Sequence, residues 1–414
     1  MSSVYQKLKP YVFPGLLLAA IILGGCMGYF FGEQAKGLKP LGDIFINLIF
    51  TAIVPLIFFS VSSAIVRTGT LSKLGKMLFY MMSVFLFTGI IAAFYMLVVV
   101  ELFPPAQKVS VLLAKPANLA PNHLSEQIVG IFSVSDLSQL LSPEHILPLI
   151  IFSILLGLSI LGVGEKGRPF ANFLQAGEAI FMRFFSLIMW YAPIGFFAYF
   201  AVMLSDIGPK LIESYLRIFL IYYAAAIIYF VAAFTVYAYL AAQAKGVKLF
   251  WRNVFLPLAT SIATCSSAAS IPANLAATRS MRVSPEVYET VIPMGAMIHK
   301  DGSVLGAVVK IAFLFGLFHL DFSGVSVILT AVLISLLVGT VMGAIPSGGM
   351  LGELLILSVY GFPPSVLLAV ATISILIDPL ATMLNVTGDA VSSMMVARLL
   401  KGKSWFAPAE SKGL

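Results

Sequence analysis

The chain has 414 residues, 60% of them hydrophobic and only 10% charged, with a formal net charge of +7. Soluble domains carry about 25% charged residues, and apolar runs of roughly 20 residues, long enough to cross a hydrocarbon core, recur along this chain. The composition therefore excludes an ordinary soluble fold. The positive balance reads as the Lys/Arg bias of cytoplasmic loops rather than as a nucleic-acid surface.

The first apolar run, 11–32, lies behind Lys7 and Lys9. It is longer than a secretory h-region and ends in Gly28-Tyr29-Phe30-Phe31 with no small-x-small cleavage site, so it reads as a retained span. Further spans are expected at 43–66, 77–101, 145–164, 175–204 and 211–243. Basic residues collect in alternate loops: Lys7 and Lys9, then Arg67, Lys73 and Lys76, then Lys166 and Arg168, then Lys245, Lys248 and Arg252. By the positive-inside rule those loops are cytoplasmic, as is the C-terminus with Arg398, Lys401 and Lys403. Cys26 and Cys265 both fall in apolar segments, so no disulfide framework is implied.

Beyond residue 250 the texture changes. Segment 253–278 has Arg252 on one side and Arg279 and Arg282 on the other, so it is expected to leave and re-enter on the cytoplasmic side. Its middle, Thr264-Cys265-Ser266-Ser267-Ala268-Ala269-Ser270-Ile271-Pro272, is rich in small hydroxyl residues. A second interrupted stretch, 325–361, is centred on Gly343-Ala344-Ile345-Pro346-Ser347-Gly348-Gly349. Non-helical backbone at membrane depth is tolerated where it is buried or lines a cavity, and two such segments point to a transporter's binding site. Two kinked ordinary helices are the plainer reading.

Between them, segment 290–318 carries His299-Lys300-Asp301-Gly302-Ser303, and segment 364–398 carries Asp378 and Asn385-Val386-Thr387-Gly388-Asp389. An ionisable side chain at the centre of a helix costs about 2.5–3.5 kcal/mol on the insertion scale, so these groups must face one another, a cavity or bound ions. A static ion pair of Lys300 with Asp301 or Asp389 would be the structural explanation. Asn385 and Asp389 are four apart and share a helix face, an oxygen-rich arrangement suited to a hard monovalent cation.

Together these motifs resemble the dicarboxylate/amino acid:cation symporter family, which includes the glutamate transporters. Thr264-Cys265-Ser266-Ser267 to Pro272 resembles the first hairpin tip, and Ala344-Ile345-Pro346-Ser347-Gly348-Gly349 the second. His299-Lys300-Asp301-Gly302-Ser303 stands where the family has Asn-Met-Asp-Gly-Thr, and Asn385-Val386-Thr387-Gly388-Asp389 matches the last-span motif. Pro55-Leu56-Ile57-Phe58-Phe59-Ser60 fits the second span.

The resemblance implies an all-α integral membrane fold. Its parts are eight transmembrane helices and two opposed re-entrant hairpins with inverted repeats, in an elevator-type homotrimeric carrier of the inner membrane. On that plan, 1–76 holds scaffold spans 1 and 2, and 77–101 is span 3 of the transport domain. Residues 102–243 hold spans 4–6, with span 6 in the transport domain. Residues 244–414 form the transport core of hairpin 1, span 7, hairpin 2 and span 8. The resemblance further implies a small amino acid or dicarboxylate as substrate, the lipid bilayer as surroundings, no cofactor, and H+ or Na+ as coupling ion. Substrate binding would fall to Ser266, Ser267, Ile345, Pro346, Ser347, Gly348, Asp378, Thr382 and Asn385. Coupling would fall to Thr88, His299, Lys300, Asp301, Asn385 and Asp389, with Na+ placed at Asp301, Asn385 and Asp389.

The sequence departs from that pattern in two respects. Acidic-substrate members carry an arginine one turn after the aspartate, where this chain has Ala381, and Cys265 stands where others keep an arginine at the first tip. Loss of a bidentate guanidinium favours a small neutral amino acid, although Lys300 offers a point charge to an acidic one. Second, His299 and Lys300 replace a cation-binding Asn-Met pair, and Gly89 follows Thr88 where a serine is usual. A cationic side chain beside Asp301 repels Na+ and substitutes for it, so reduced sodium dependence is expected, with a Na+-coupled glutamate/aspartate symporter as the alternative. Ser266 or Ser267 with Lys300, or Asp301 with Asp378, are conceivable enzyme pairs, but no H-E-x-x-H or G-x-S-x-G motif accompanies them. A substrate-gated channel is the remaining class. Glu353 reads either as a surface charge near the extracellular interface or as a proton-titrating group.

Overall fold

The computed structural model describes residues 2–68, 75–106, 133–142, 145–207, 210–342 and 349–405, and among them there are helices and no strands. Helix α1 (Ser2–Phe31) passes through a 3-10 turn, Gly32–Leu38, into α2 (Lys39–Thr68). Helix α3 (Gly75–Leu102) follows, then the short α4 (Leu137–Leu140), whose N-cap Asp136 accepts from the backbone N–H groups of Ser138 and Gln139. Next come α5 (Ile146–Val163), α6 (Arg168–Ile188), α7 (Ala192–Ile207) and α8 (Lys210–Asn253).

The span expected at 175–204 is two helices. Met189 to Tyr191 form a turn between α6 and α7, and Pro193 at the start of α7 has no N–H to continue the α6 ladder. Helix α8, at 44 residues, is broken at Ala242 and Gln243, the latter at φ +54. Five helical stretches among the described residues are long and apolar enough to cross a membrane: 15–63, 75–102, 148–188, 212–253 and 364–401. With the family assignment below, they make this an integral membrane protein.

The C-terminal part is built differently, from short pieces. Helix α9 (Phe255–Thr264) has 10 residues, about 15 Å of helix, roughly half a hydrocarbon core. It stops at Cys265, which adopts the left-handed conformation at φ +46, and α10 (Ser267–Ser280) starts at once and packs back on α9. The N-cap is Ser266, whose hydroxyl accepts from Ala269 N. Helices α11 (Pro285–Ile298) and α12 (Asp301–Leu317) are separated by extended backbone at His299 and Lys300. Helices α13 (Val325–Met342) and α14 (Gly349–Tyr360) also pack on each other. The 35-residue α15 (Leu367–Lys401) closes the core.

Packing falls into two groups. Helix α1 lies along α7, and α2 packs on α5, α6 and α7. The α1–α7 approach is close because Gly24 and Gly28 face it: a Cβ on either would stand 2.2 Å from the carbonyl oxygen of Phe197 or Ala201. The second group is centred on α15 and α12, which carry the unbroken buried runs 380–394 and 301–315. Around α15 pack α3, α8, α9, α10, α11, α12 and α14. All the ionisable residues singled out inside apolar segments lie in this second group.

Candidate functional site

The interruption between α11 and α12 sets the site's geometry. His299 has φ −110 and ψ 112, a strand-like conformation, so its side chain and that of Lys300 leave the backbone on opposite sides. The two side chains therefore have different surroundings.

His299 is 2% exposed and lies between two carboxylates and a hydroxyl. Its Nδ1 is 2.8 Å from Asp389 Oδ1, its Nε2 is 2.8 Å from Thr88 Oγ1, and the same Nε2 is 3.3 Å from Asp301 Oδ1. Phe85 of α3 stacks on the ring, with centroids 4.3 Å apart and planes 16° from parallel. Tyr229 of α8 completes the enclosure, its hydroxyl 3.2 Å from the Thr88 carbonyl oxygen and 3.4 Å from Asp301 Oδ2. Asp389 can approach because Gly295 has no side chain: a Cβ there would sit 2.3 Å from Asp389 Oδ1. Four of the expected coupling residues, Thr88, His299, Asp301 and Asp389, are thus brought together.

Asn385 lies close by, but its amide oxygen is occupied. It accepts from Gly302 N at 2.9 Å and Ser303 N at 3.3 Å, while Nδ2 donates to Ser303 Oγ at 3.2 Å. Gly302 and Ser303 belong to the first turn of α12, whose N–H groups have no intrahelical acceptor. Asn385 acts as a cap supplied from the neighbouring helix.

Lys300 is 8% exposed and donates to Ser267 Oγ at 2.7 Å, on the first residue of α10. No carboxylate among the described residues lies within ion-pair distance of it, so neither static pair considered from the sequence is formed. Asp378 on α15 is exposed, and its Oδ1 accepts from Thr382 Oγ1 at 3.1 Å. Ile345, Pro346, Ser347 and Gly348 lie outside the described residues.

Glu353 is not a surface charge. It is fully buried, and its Oε1 accepts from Lys310 Nζ and Ser374 Oγ, each at 2.5 Å, while Oε2 has no hydrogen-bond partner. Sequence reasoning overlooked Lys310, although Val308-Val309-Lys310-Ile311-Ala312 places a lone charge in an apolar helix just as conspicuously as Lys300 does. Tyr229 and Tyr222, which donates to the Gly302 carbonyl at 2.9 Å, carried no signal, because a tyrosine in an apolar helix reads as core. Asn274 of α10 was also missed; it donates to the Val386 carbonyl at 2.7 Å.

Buried charges gathered where short broken helices meet are the build of a membrane carrier's central site. Residues 14–399 match the model of the sodium:dicarboxylate symporter family, and the chain belongs to that family. It is 26% identical over 401 residues to the proton/sodium-glutamate symport protein of Bacillus caldotenax, covering 94% of this chain and 93% of that one. Likeness to the C4-dicarboxylate transport protein of Rhizobium johnstonii is 27% over 410 residues, covering 92% and 87%. The proton/sodium-glutamate symport protein of Bacillus subtilis is 24% identical over 423 residues, covering 100% and 96%. These relatives are transport proteins, and this chain is a transporter rather than an enzyme.

Proposed function

We propose that the protein is a symporter of an amino acid or related dicarboxylate, with reduced dependence on sodium because the His299 side chain stands in for a coupling cation. The observation that carries this is the seat of the ring, which fills the space between Asp389, Asp301 and Thr88. A hydroxyl and two carboxylates are the oxygen set a monovalent cation would take. Thr88 Oγ1 lies 3.3 Å from the Phe85 carbonyl, to which it donates, so it accepts from Nε2. Asp389 accepts from Nδ1. Both ring nitrogens then donate, the pattern of an imidazolium. Na+ would have to displace this cation, and Asn385 has no spare oxygen capacity to help it.

In this reading the coupling ion is H+, with Na+ retained at most as a second ion. Substrate sits between the first hairpin tip at Ser266 and Ser267, the second tip at Ile345 to Gly348, and Asp378 with Thr382. The α15-centred group is the mobile transport core. The group of α1, α2, α5, α6 and α7 is the scaffold of a homotrimer with eight spans and two re-entrant hairpins. It works by elevator-like alternating access in the inner membrane, with both termini cytoplasmic. The division of packing into two groups supports the scaffold and core assignment. The short α9–α10 and α13–α14 pairs support the hairpins.

The relatives' names favour one further reading, sodium-coupled glutamate transport, in which His299 moves aside for the ion. A thermal-shift titration of the purified protein with NaCl against choline chloride, across pH, separates the two. Melting that responds to pH and ignores Na+ is expected. A saturable, Na+-specific stabilisation would instead favour the sodium-coupled reading.

A further inference from the structure

Away from the histidine site, an open cavity of about 390 Å³ lies where α8 breaks and the end of α15 meets it. Helix α8 leaves its helical path at Ala242 and Gln243. Gln243, at φ +54 and ψ −146, holds a conformation that a residue with a Cβ adopts only at a cost in free energy. The break is held from both sides. Trp405 donates its indole N–H to the Ala241 carbonyl at 2.9 Å. Gly246 lets the chain return so closely that a Cβ there would stand 2.1 Å from the Ala238 carbonyl oxygen.

Three cations line the cavity and no carboxylate does: Lys245 of α8, Arg398 of α15 and Lys403 just beyond it, beside the exposed Gln243. Neither Arg398 nor Lys403 has an ion-pair partner among the described residues. Lys401, three residues after Arg398, is outside the lining and is paired with Glu286 at 2.7 Å. The wall leading to these cations is apolar. Ile228, Val236, Tyr239 and Leu240 are all exposed and share one face of α8. From Ile228 to Leu240 the helix rises about 18 Å, close to the depth of one leaflet of a hydrocarbon core.

We propose that this cavity binds the headgroup of an anionic phospholipid, its phosphate held by Arg398, Lys403 and Lys245 and an acyl chain laid along the Ile228–Leu240 face of α8. A phosphate offers the paired acceptor oxygens that a guanidinium fork fits, and the two lysines add point charges. Free phosphate would satisfy the cations and leave the apolar face unused, so the face selects a lipid as the source. A zwitterionic lipid would bring a further cation into a cavity that already holds three. Bound there, the lipid bridges α8 and the end of α15 across the break.

The test is a thermal-shift titration of the full-length protein in detergent with phosphatidylglycerol, phosphatidylcholine or inorganic phosphate. Phosphatidylglycerol is expected to stabilise the wild type saturably, and the other two are not. Arg398→Gln/Lys403→Gln is expected to weaken that response at least tenfold, while Lys401→Gln, outside the cavity, changes it less than twofold. Should the first variant fail to fold, Lys245→Gln/Lys403→Gln, at two exposed positions, tests the same site. An equal response to phosphatidylcholine overturns the proposal. So does a loss in Lys401→Gln as large as in the double variant, which a basic surface acting as a whole would give. Saturation by inorganic phosphate at the same concentration as by phosphatidylglycerol overturns the lipid assignment. A wild type that ignores phosphatidylglycerol also overturns it, and a response gained only on removal of residues 407–414, which include Glu410, would give the cavity to the chain's own C-terminal segment.

Discussion

Replacing Lys310 by methionine isolates the energetics of the most deeply buried ion pair. Lys310 is 1% exposed and Glu353 is fully buried, and they meet at 2.5 Å with Ser374 as a second donor to the same oxygen. Removing one member of such a pair costs about 3–5 kcal/mol, because the other charge stays buried without compensation. Ser374 still donates to Glu353 in Lys310→Met, so the lower end, about 3 kcal/mol, is expected. Glu353→Gln keeps an oxygen for the ammonium and should cost less, about 1.5–3 kcal/mol. In Lys310→Met/Glu353→Leu no charge is left stranded, and stability should return to within about 1 kcal/mol of wild type. The assay is unfolding of the purified protein by SDS titration, for the wild type and each variant. A double variant as unstable as the sum of its singles would show that the pair carries no coupling, and would refute the reasoning.

Other substitutions probe the histidine site. Gly295→Ala would place a methyl 2.3 Å from Asp389 Oδ1, so the carboxylate must move off His299; uptake in liposomes should fall, and unchanged uptake would contradict the geometry. Thr88→Val removes the hydroxyl that receives His299 Nε2 and should cost about 1–2 kcal/mol in the same unfolding assay. Asn385→Leu uncovers the Gly302 and Ser303 N–H groups, with an expected loss of about 2 kcal/mol. Amide exchange at those two positions should rise, and unaltered protection would argue against the cap.

The break near 265 was legible because basic flanks and a serine run are chemical signals that need no tertiary context, whereas the break at His299 and Lys300 was not, since 290–318 reads as one apolar segment with charges inside it. The turn at Met189–Tyr191 was hidden, since the residues around it are as apolar as those of a continuous span. Sequence singled out His299 and Lys300 as charges inside an apolar segment, but could not give them their separate surroundings. That division depends on two backbone dihedrals, which send one side chain to Asp389 and the other to Ser267. Glu353 was left open between a surface charge and a proton-titrating group; burial excludes the first, and its partner Lys310 was out of sight because it lies 43 residues away and only folding joins them. Asn385 looked like an ion ligand from its spacing with Asp389. Its occupation by α12 follows from helix-end geometry, which no local motif encodes.

Reconstituted uptake tests the central claim, that a side-chain cation has replaced a coupling sodium. Liposomes containing the wild type or His299→Asn are given labelled L-alanine or L-glutamate under an imposed Na+ gradient or an imposed pH gradient. The account predicts wild-type accumulation that follows the pH gradient and persists without sodium. His299→Asn, which leaves Asp301 and Asp389 without their cation, should become sodium-dependent. Wild-type uptake that requires the Na+ gradient and ignores the pH gradient would contradict it.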